Sequence, residues 1–205
     1  MFLVLILVVM HFFPKRLSPT VHNLFDLDEE GNIPTSYSTM LLFSVSLGSL
    51  SIFIVGKTVL RSPYFWLLFS GVYCFLSLDE GAGLHEIIDK TTSLKWVYIY
   101  APFALAFFLV CVYHVTKNGN RSLRNWILGG LIVYATGGLV LEYVGYWFWP
   151  LRDMLHQIEI VLEEELEMIG AIMVLTGCLH ELNRVWGRDE PEGTERRRER
   201  VFPGP

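Results

Sequence analysis

Residues 96–116 read WVYIYAPFALAFFLVCVYHVT, 21 consecutive positions without an acidic residue, a lysine or an arginine. A helix of this length matches the hydrocarbon core of a bilayer, which takes roughly 20 apolar residues to cross. Further apolar blocks predict spans at about 1–13, 37–56, 63–80, 125–149 and 157–182. The sequence therefore predicts an all-α fold, a polytopic transmembrane helical bundle of six or alternatively five spans.

The composition of the whole chain supports a membrane location. Of the 205 residues, 52% are hydrophobic and 18% are charged, and the mean hydropathy is +0.41. A soluble domain usually carries about 25% charged residues. Three cysteines at long spacings indicate neither a disulfide framework nor a zinc motif. The predicted surroundings are the lipid bilayer, with membrane-protein partners or a homo-oligomer as further partners and no nucleic acid.

The basic residues divide unevenly between the predicted loops. Of the 16 lysines and arginines, 11 fall at 57–61, at 117–124 or after residue 182. Positively charged loops stay in the cytoplasm, so six spans place both termini there. The transmembrane helical domain is predicted at 1–188, followed by a disordered charged C-terminal tail at 189–205.

Most acidic residues, 15 of 21, lie at the other end of the predicted bundle, the outer end. In the last span, His156, Glu159, Glu163 and Glu167 follow at intervals that place them on one helix face. An ionised carboxylate inside a bilayer costs at least about 2.5 kcal/mol on insertion scales. These side chains therefore need water, a cation, shared protons or basic partners.

A second acidic segment, LDEGAGLHE at 78–86, ends the third span. The helix either continues through it, or its two glycines allow a re-entrant turn. Carboxylates and imidazoles together suit a divalent metal ion, of unknown identity, as a cofactor. The predicted metal or cation site comprises Asp79, Glu80, His85, Glu86, Glu142, His156, Glu159, Glu163 and Glu167.

Several functions agree with this pattern. The first is a carboxylate and histidine cluster at the outer face that binds a cation or protons. A non-catalytic accessory subunit of a larger respiratory or photosynthetic membrane complex is the second, and its acidic face would dock a basic partner. A metal-dependent membrane enzyme is the third, with no catalytic residue assigned. The acidic face of the last helix is, alternatively, a solvated surface without any site.

Two motifs carry a resemblance to known sequences. The loop FDLDEEGNIPT at 25–35 enters a span that begins SYS, and LDE at 78–80 precedes His85 and Glu86. Together with the glutamate-rich run that ends EMIG at 167–170, they resemble a group of bacterial multi-pass membrane proteins. The resemblance extends to about residue 182. It implies a location in the bacterial inner membrane and no particular activity.

Overall fold

The computed structural model describes residues 2–12, 18–27, 29–148 and 154–189, which form helices and no strands. The predicted tail beyond residue 189 lies outside the described residues. The helices are α1 (Phe2–His11), α2 (Pro19–Phe25), α3 (Ile33–Gly56), α4 (Tyr64–Ala82), α5 (Leu84–Thr91), α6 (Trp96–Asn118), α7 (Arg121–Ala135), a π-helical segment (Thr136–Leu141), α8 (Glu142–Phe148) and α9 (Met154–Asp189). The predicted all-α class is confirmed.

Three helices in the described chain are long and apolar enough to cross a membrane: Ile33–Gly56, Trp96–Asn118 and Arg121–Gly145. The pair α4 and α5 adds a fourth if it forms one span bent by 64°. At 1.5 Å per residue, α1 is only about 15 Å long, too short for a hydrocarbon core of about 30 Å. Helix α9 has 36 residues but carries several glutamates in its first half. The six-span topology and the cytoplasmic termini stay predictions.

Helix α3 begins earlier than the apolar block, at a turn that the LDEEGNIPT motif builds. Asn32 is the N-cap, and its Oδ1 accepts a hydrogen bond of 3.2 Å from the Thr35 backbone N–H. Its Nδ2 donates to the carbonyl of Glu29 at 2.7 Å. Gly31 adopts φ +74°, a conformation that glycine allows at little cost. One asparagine therefore fixes both the loop and the start of the helix.

Replacing Asn32 by alanine removes the cap and leaves several backbone groups of the loop without partners. We expect Asn32→Ala to lower the free energy of unfolding by about 1–2 kcal/mol, the usual effect of a lost N-cap. Thermal unfolding in detergent measures the change. Ser51→Ala is the matched control, because this exposed hydroxyl bonds only to a carbonyl of its own helix. An unchanged midpoint in Asn32→Ala would contradict the capping role.

The third predicted span does not continue as one helix through the LDEGAGLHE segment. Helix α4 ends at Gly83, which adopts the left-handed φ of +59°, and α5 leaves at an angle of 64°. A left-handed glycine is a common way to end a helix. The alternative of a break at the glycines is therefore the one observed, and Asp79 and Glu86 do not share a continuous helix face.

Five long helices surround the interior. Helix α9 packs between α3 and α7, α4 packs on α3, and α6 packs on α7. Aromatic contacts join α4 to α6, because the rings of Phe69 and Phe107 lie 5.4 Å apart and Phe65 stacks on His114 at 3.6 Å. Phe65 and Trp66 pack against His114 at one end of the core. The opposite end, which carries Asp79, Glu142 and Glu159, is called the acidic end below.

Close contact between α7 and α9 depends on glycines of both helices. A Cβ atom added to Gly130 would lie 2.8 Å from the carbonyl oxygen of Gly170, closer than real Cβ atoms approach. The same addition at Gly137 would lie 2.6 Å from the Glu163 carbonyl oxygen. These glycines let the two backbones touch, since small residues allow helices to approach closely.

Candidate functional site

A cavity of about 1560 Å³ opens at the acidic end, between α4, α5, α6, α7, α8 and α9. The loop before α3 contributes Glu29 and Glu30 to its wall. We call it the acidic cavity. All nine residues of the predicted site line it: Asp79, Glu80, His85, Glu86, Glu142, His156, Glu159, Glu163 and Glu167. The structure thus brings together side chains that are up to 88 positions apart in the chain.

The break at Gly83 turns His85 back towards the end of α4. His85 Nδ1 lies 3.3 Å from Asp79 Oδ2, and the Tyr100 hydroxyl donates to Asp79 Oδ1 at 3.0 Å. Both carboxylate oxygens of Asp79 therefore have partners, and the residue is only 7% exposed. A continuous helix would place His85 and Asp79 on different faces, and the bend is what joins them.

Glu30 belongs to the same cluster, although it lies in the loop before α3. Its Oε1 is 3.5 Å from His85 Nε2, so one imidazole lies between Glu30 and Asp79. Burial raises the pKa of the Glu30 carboxyl, and the neighbouring His85 opposes that shift. Gly83 leaves room for the Glu30 carboxylate, which a Cβ at position 83 would overlap. The two motifs of the resemblance therefore meet at one point.

Residues at the start of α6 donate hydrogen bonds to carboxylates of α5 and α8. Trp96 Nε1 donates to Glu142 Oε1 at 3.2 Å, and the Trp96 ring lies 5.2 Å from the His85 ring. The backbone N–H of Trp96 donates to Asp89 Oδ1 at 2.7 Å. Trp96 and Tyr100 are one helix turn apart and pack edge to face at 5.3 Å. Trp96 and Tyr100 therefore position carboxylates of other helices.

The glutamates of α9 line the cavity along one face, as their spacing predicts. His156 Nδ1 lies 3.0 Å from Glu159 Oε2 at the start of this face. Glu164 also lines the cavity, whereas Glu165 does not. The carboxylates of Glu159 and Glu167 occupy space beside Gly145 and Gly138, where a side chain would overlap them. The glycines of α8 and the π-helical segment therefore make room for these two carboxylates, and π segments often mark functional sites.

Among the described residues that line the cavity, acidic side chains greatly outnumber basic ones. Eleven acidic residues and two lysines line it. Both lysines have acidic partners, since Lys90 pairs with Glu86 and Lys95 lies 3.0 Å from Asp89. Within the described residues, no lysine or arginine forms an ion pair with the remaining glutamates of α4 and α9: Glu80, Glu163, Glu164 and Glu167. These four glutamates therefore have no lysine or arginine partner in the described part of the chain.

The carboxylates surround the cavity and do not converge on one point. Among the described residues, no group of three or more His, Cys, Asp or Glu side chains has the geometry to hold a metal ion. A bound divalent ion needs several ligand atoms within about 2.0–2.6 Å. The divalent metal cofactor stays a prediction, and the described geometry does not supply an assembled ligand set for it.

Residues of this site that sequence reasoning missed include Glu30, Trp96, Tyr100 and Glu164. Glu30 is part of the LDEEGNIPT motif, but the sequence did not predict that this motif lies beside the other acids. Trp96 and Tyr100 follow helical spacing, but only the fold shows that they contact acids. His114 and His180 lie away from the acidic cavity, as interfacial or packing histidines would.

The described chain is therefore an all-helical bundle with several apolar helices and a large acid-lined cavity. It belongs to the family defined by the domain of unknown function DUF8692, whose model matches residues 1–182. Both motifs of the resemblance and the whole acidic face of α9 lie within the matched range. Comparison with curated proteins gave no match, and comparison with solved structures gave none either.

Proposed function

We propose that this chain is a multi-pass membrane protein whose carboxylate and histidine cluster binds a cation or protons. The observation that supports the proposal is the common cavity, which residues of α4, α5, α8, α9 and the loop before α3 all line. A low-dielectric site strengthens the attraction of such a cluster for positive charge. Binding of a cation, or sharing of protons, relieves the repulsion among its glutamates.

The proposed location is the inner membrane of a bacterium, with the acidic end outside. Three apolar helices of sufficient length support a membrane location. The loop at 57–62 and the residues at 117–124 lie at the other end and carry five lysines and arginines. Positively charged loops favour the cytoplasm, so the acidic cavity faces the outer side in this arrangement.

Two other functions agree less well with the geometry. An accessory subunit that docks a basic partner needs its acids on an outer surface, but the nine predicted residues line one cavity between the helices, and Asp79 and Glu159 are buried. A metal-dependent enzyme needs an assembled ligand set, which the described residues lack. Homo-oligomers and membrane-protein partners remain compatible with the cation-binding proposal.

Calorimetric titration of the purified protein in nanodiscs tests the proposal. We expect wild-type protein to bind tetramethylammonium or an inorganic cation saturably, or to take up more protons than the variant described next as the pH falls from 8 to 5. Glu163→Gln combined with Glu167→Gln removes two carboxylates and is expected to weaken cation binding about tenfold or more. Elemental analysis of the same samples reports any bound metal.

Glu165→Gln is the matched control, because this neighbour on α9 does not line the cavity. It changes the net charge of the protein by one unit without removing a cavity carboxylate. We expect its binding to equal that of wild-type protein. Equal cation binding and equal proton uptake by wild-type protein and the double variant would disprove the proposed function.

A further inference from the structure

A second pocket, of about 260 Å³, lies at the end of the bundle opposite to the acidic cavity. Its wall is formed by the loop that joins α3 to α4, the C-terminal end of α6, the start of α7 and the second half of α9. We call it the basic pocket. The polar side chains used below are Arg61, Ser62, Asn118, Glu181 and Arg184. None of them lines the acidic cavity, so the proposed function does not explain this pocket.

A buried carboxylate orients the guanidinium of Arg184 at the basic pocket. Arg184 Nε donates to Glu181 Oε2 at 2.8 Å, and its Nη2 donates to Glu181 Oε1. Glu181 is only 3% exposed, and such a fork holds an arginine in one geometry. A guanidinium has five N–H donors, of which these two bonds use two. The remaining donors of Arg184 make no hydrogen bond in the described part of the chain, and its side chain is 28% exposed.

Arg61 supplies a second guanidinium, which has no acidic partner among the described residues. The lysines and arginines that form ion pairs there are Lys90, Lys95 and Arg184. Glu181 is the one acid among the described residues that line the basic pocket, and Arg184 bonds to both of its oxygens. The described lining of the pocket therefore carries a net positive charge.

The first turn of α4 adds the partial positive charge of a helix N-terminus. Helix α4 begins at Tyr64, and within the described residues no side chain caps this end. Ser62 before the turn and Trp66 within it both line the basic pocket. Free backbone N–H groups and the helix dipole favour an anion at such an end. Two guanidinium groups and one helix N-terminus therefore border the same small pocket.

The position of the basic pocket along the helices indicates a ligand at the membrane surface. Helix α3 ends at Gly56, α4 begins at Tyr64 and α6 ends at Asn118, so the pocket lies where three apolar helices end. Basic pockets between membrane helices on the cytoplasmic side bind anionic lipid headgroups. A volume of about 260 Å³ admits a headgroup and leaves acyl chains outside.

We propose that the basic pocket binds the phosphate group of an anionic ligand, supplied by a phospholipid headgroup or by free phosphate. Arg61 and Arg184 bind the phosphate oxygens, because guanidinium groups match them with paired N–H donors. Ser62 and Asn118 add neutral donors. No residue of the acidic cavity takes part, so the inference is independent of cation binding there. Only the lipid source rests on the proposed membrane location.

Calorimetric titration of the full chain in dodecylmaltoside tests the inference with soluble probes. These are dihexanoyl phosphatidylglycerol, dihexanoyl phosphatidylcholine and inorganic phosphate. We expect saturable binding of phosphatidylglycerol or of inorganic phosphate. Tighter binding of phosphatidylglycerol identifies a lipid headgroup, whereas equal or tighter binding of inorganic phosphate identifies free phosphate. Phosphatidylcholine should bind about tenfold more weakly than phosphatidylglycerol, because the arginines repel its trimethylammonium group.

Arg61→Ala is the decisive variant, because this exposed side chain has no ion-pair partner in the described structure and its loss should not unfold the protein. We expect it to weaken binding about tenfold, the effect of one lost charge-assisted hydrogen bond. Arg124→Ala is the matched control. It removes the same charge from the same end of the bundle, but Arg124 does not line the pocket, so its binding should equal that of wild-type protein.

A second variant tests the oriented guanidinium. Glu181→Gln combined with Arg184→Gln removes the fork without leaving a buried charge alone, and it should also weaken binding about tenfold. Thermal unfolding shows whether this protein is folded. The absence of saturable binding by wild-type protein, or wild-type affinity in Arg61→Ala, would overturn the inference and leave the proposed function standing.

Discussion

Gly170→Leu is expected to prevent stable folding. A Cβ at this position would lie 2.5 Å from the Tyr134 backbone nitrogen and 2.7 Å from the Gly130 carbonyl oxygen, both of them backbone atoms. The two helices must separate to admit a side chain, and their separation disrupts the core around Val174. Overpacking in a close-packed interior costs about 1–3 kcal/mol, and more where backbone blocks the new atoms. Size-exclusion chromatography and thermal unfolding in detergent measure the loss.

Gly71 provides the matched control for this substitution. It also lies within an apolar helix, but an added Cβ would meet nothing within 4 Å. Gly71→Leu should therefore unfold at the wild-type temperature or slightly above it, because leucine has a higher helix propensity than glycine. If Gly170→Leu unfolds like Gly71→Leu, the close contact of α7 with α9 is wrong.

Asp79→Ala is expected to cause the largest loss among the cavity variants. The carboxylate accepts from Tyr100 and contacts His85, and its removal leaves both groups without that partner. Breaking a buried ion pair by removing one member costs about 3–5 kcal/mol. We also expect altered Trp96 fluorescence, since the indole lies 5.2 Å from the His85 ring. Thermal unfolding and emission spectra measure the two effects.

Glu86→Gln is the comparison for Asp79→Ala, because Glu86 belongs to the same motif but pairs with an exposed lysine at the rim. Pairs in solvent contribute little to stability. We expect no change in its unfolding midpoint or fluorescence. Asp79→Asn keeps an acceptor for Tyr100, so its unfolding midpoint should lie between those of Glu86→Gln and Asp79→Ala. If Glu86→Gln lowers the unfolding midpoint as much as Asp79→Ala does, the buried contacts of Asp79 with Tyr100 and His85 do not have the stabilising role assigned to them.

The helices themselves follow from simple patterning, whereas their ends depend on single residues. The described residues of the blocks at 37–56, 96–116 and 125–149 all lie in helices, the expected structure for uninterrupted apolar runs, since a helix satisfies its own backbone hydrogen bonds. Asn32 caps α3 ahead of the apolar block, and a left-handed Gly83 splits the third block. Neither the cap at Asn32 nor the helix end at Gly83 changes the hydropathy profile, so the profile could not predict where these helices begin and end.

The candidate site could be predicted where helical periodicity applies and not where tertiary contacts decide. The spacing of Glu159, Glu163 and Glu167 places them on one face, which lines the cavity. Glu30 approaches His85 only because the loop before α3 folds over the bend at Gly83. Trp96 and Tyr100 contact acids of distant elements.

The central claim, that α9 turns one face towards an acidic cavity, is tested most directly by thiol modification. Glu164→Cys and Glu165→Cys are compared in a Cys74→Ser background, since the other two native cysteines are buried. Each protein reacts with methanethiosulfonate reagents that carry either a trimethylammonium or a sulfonate group. We predict that Glu164→Cys reacts about tenfold faster with the cationic reagent, because local negative potential concentrates cations, while Glu165→Cys shows little preference. The same preference at both positions would contradict the acidic cavity.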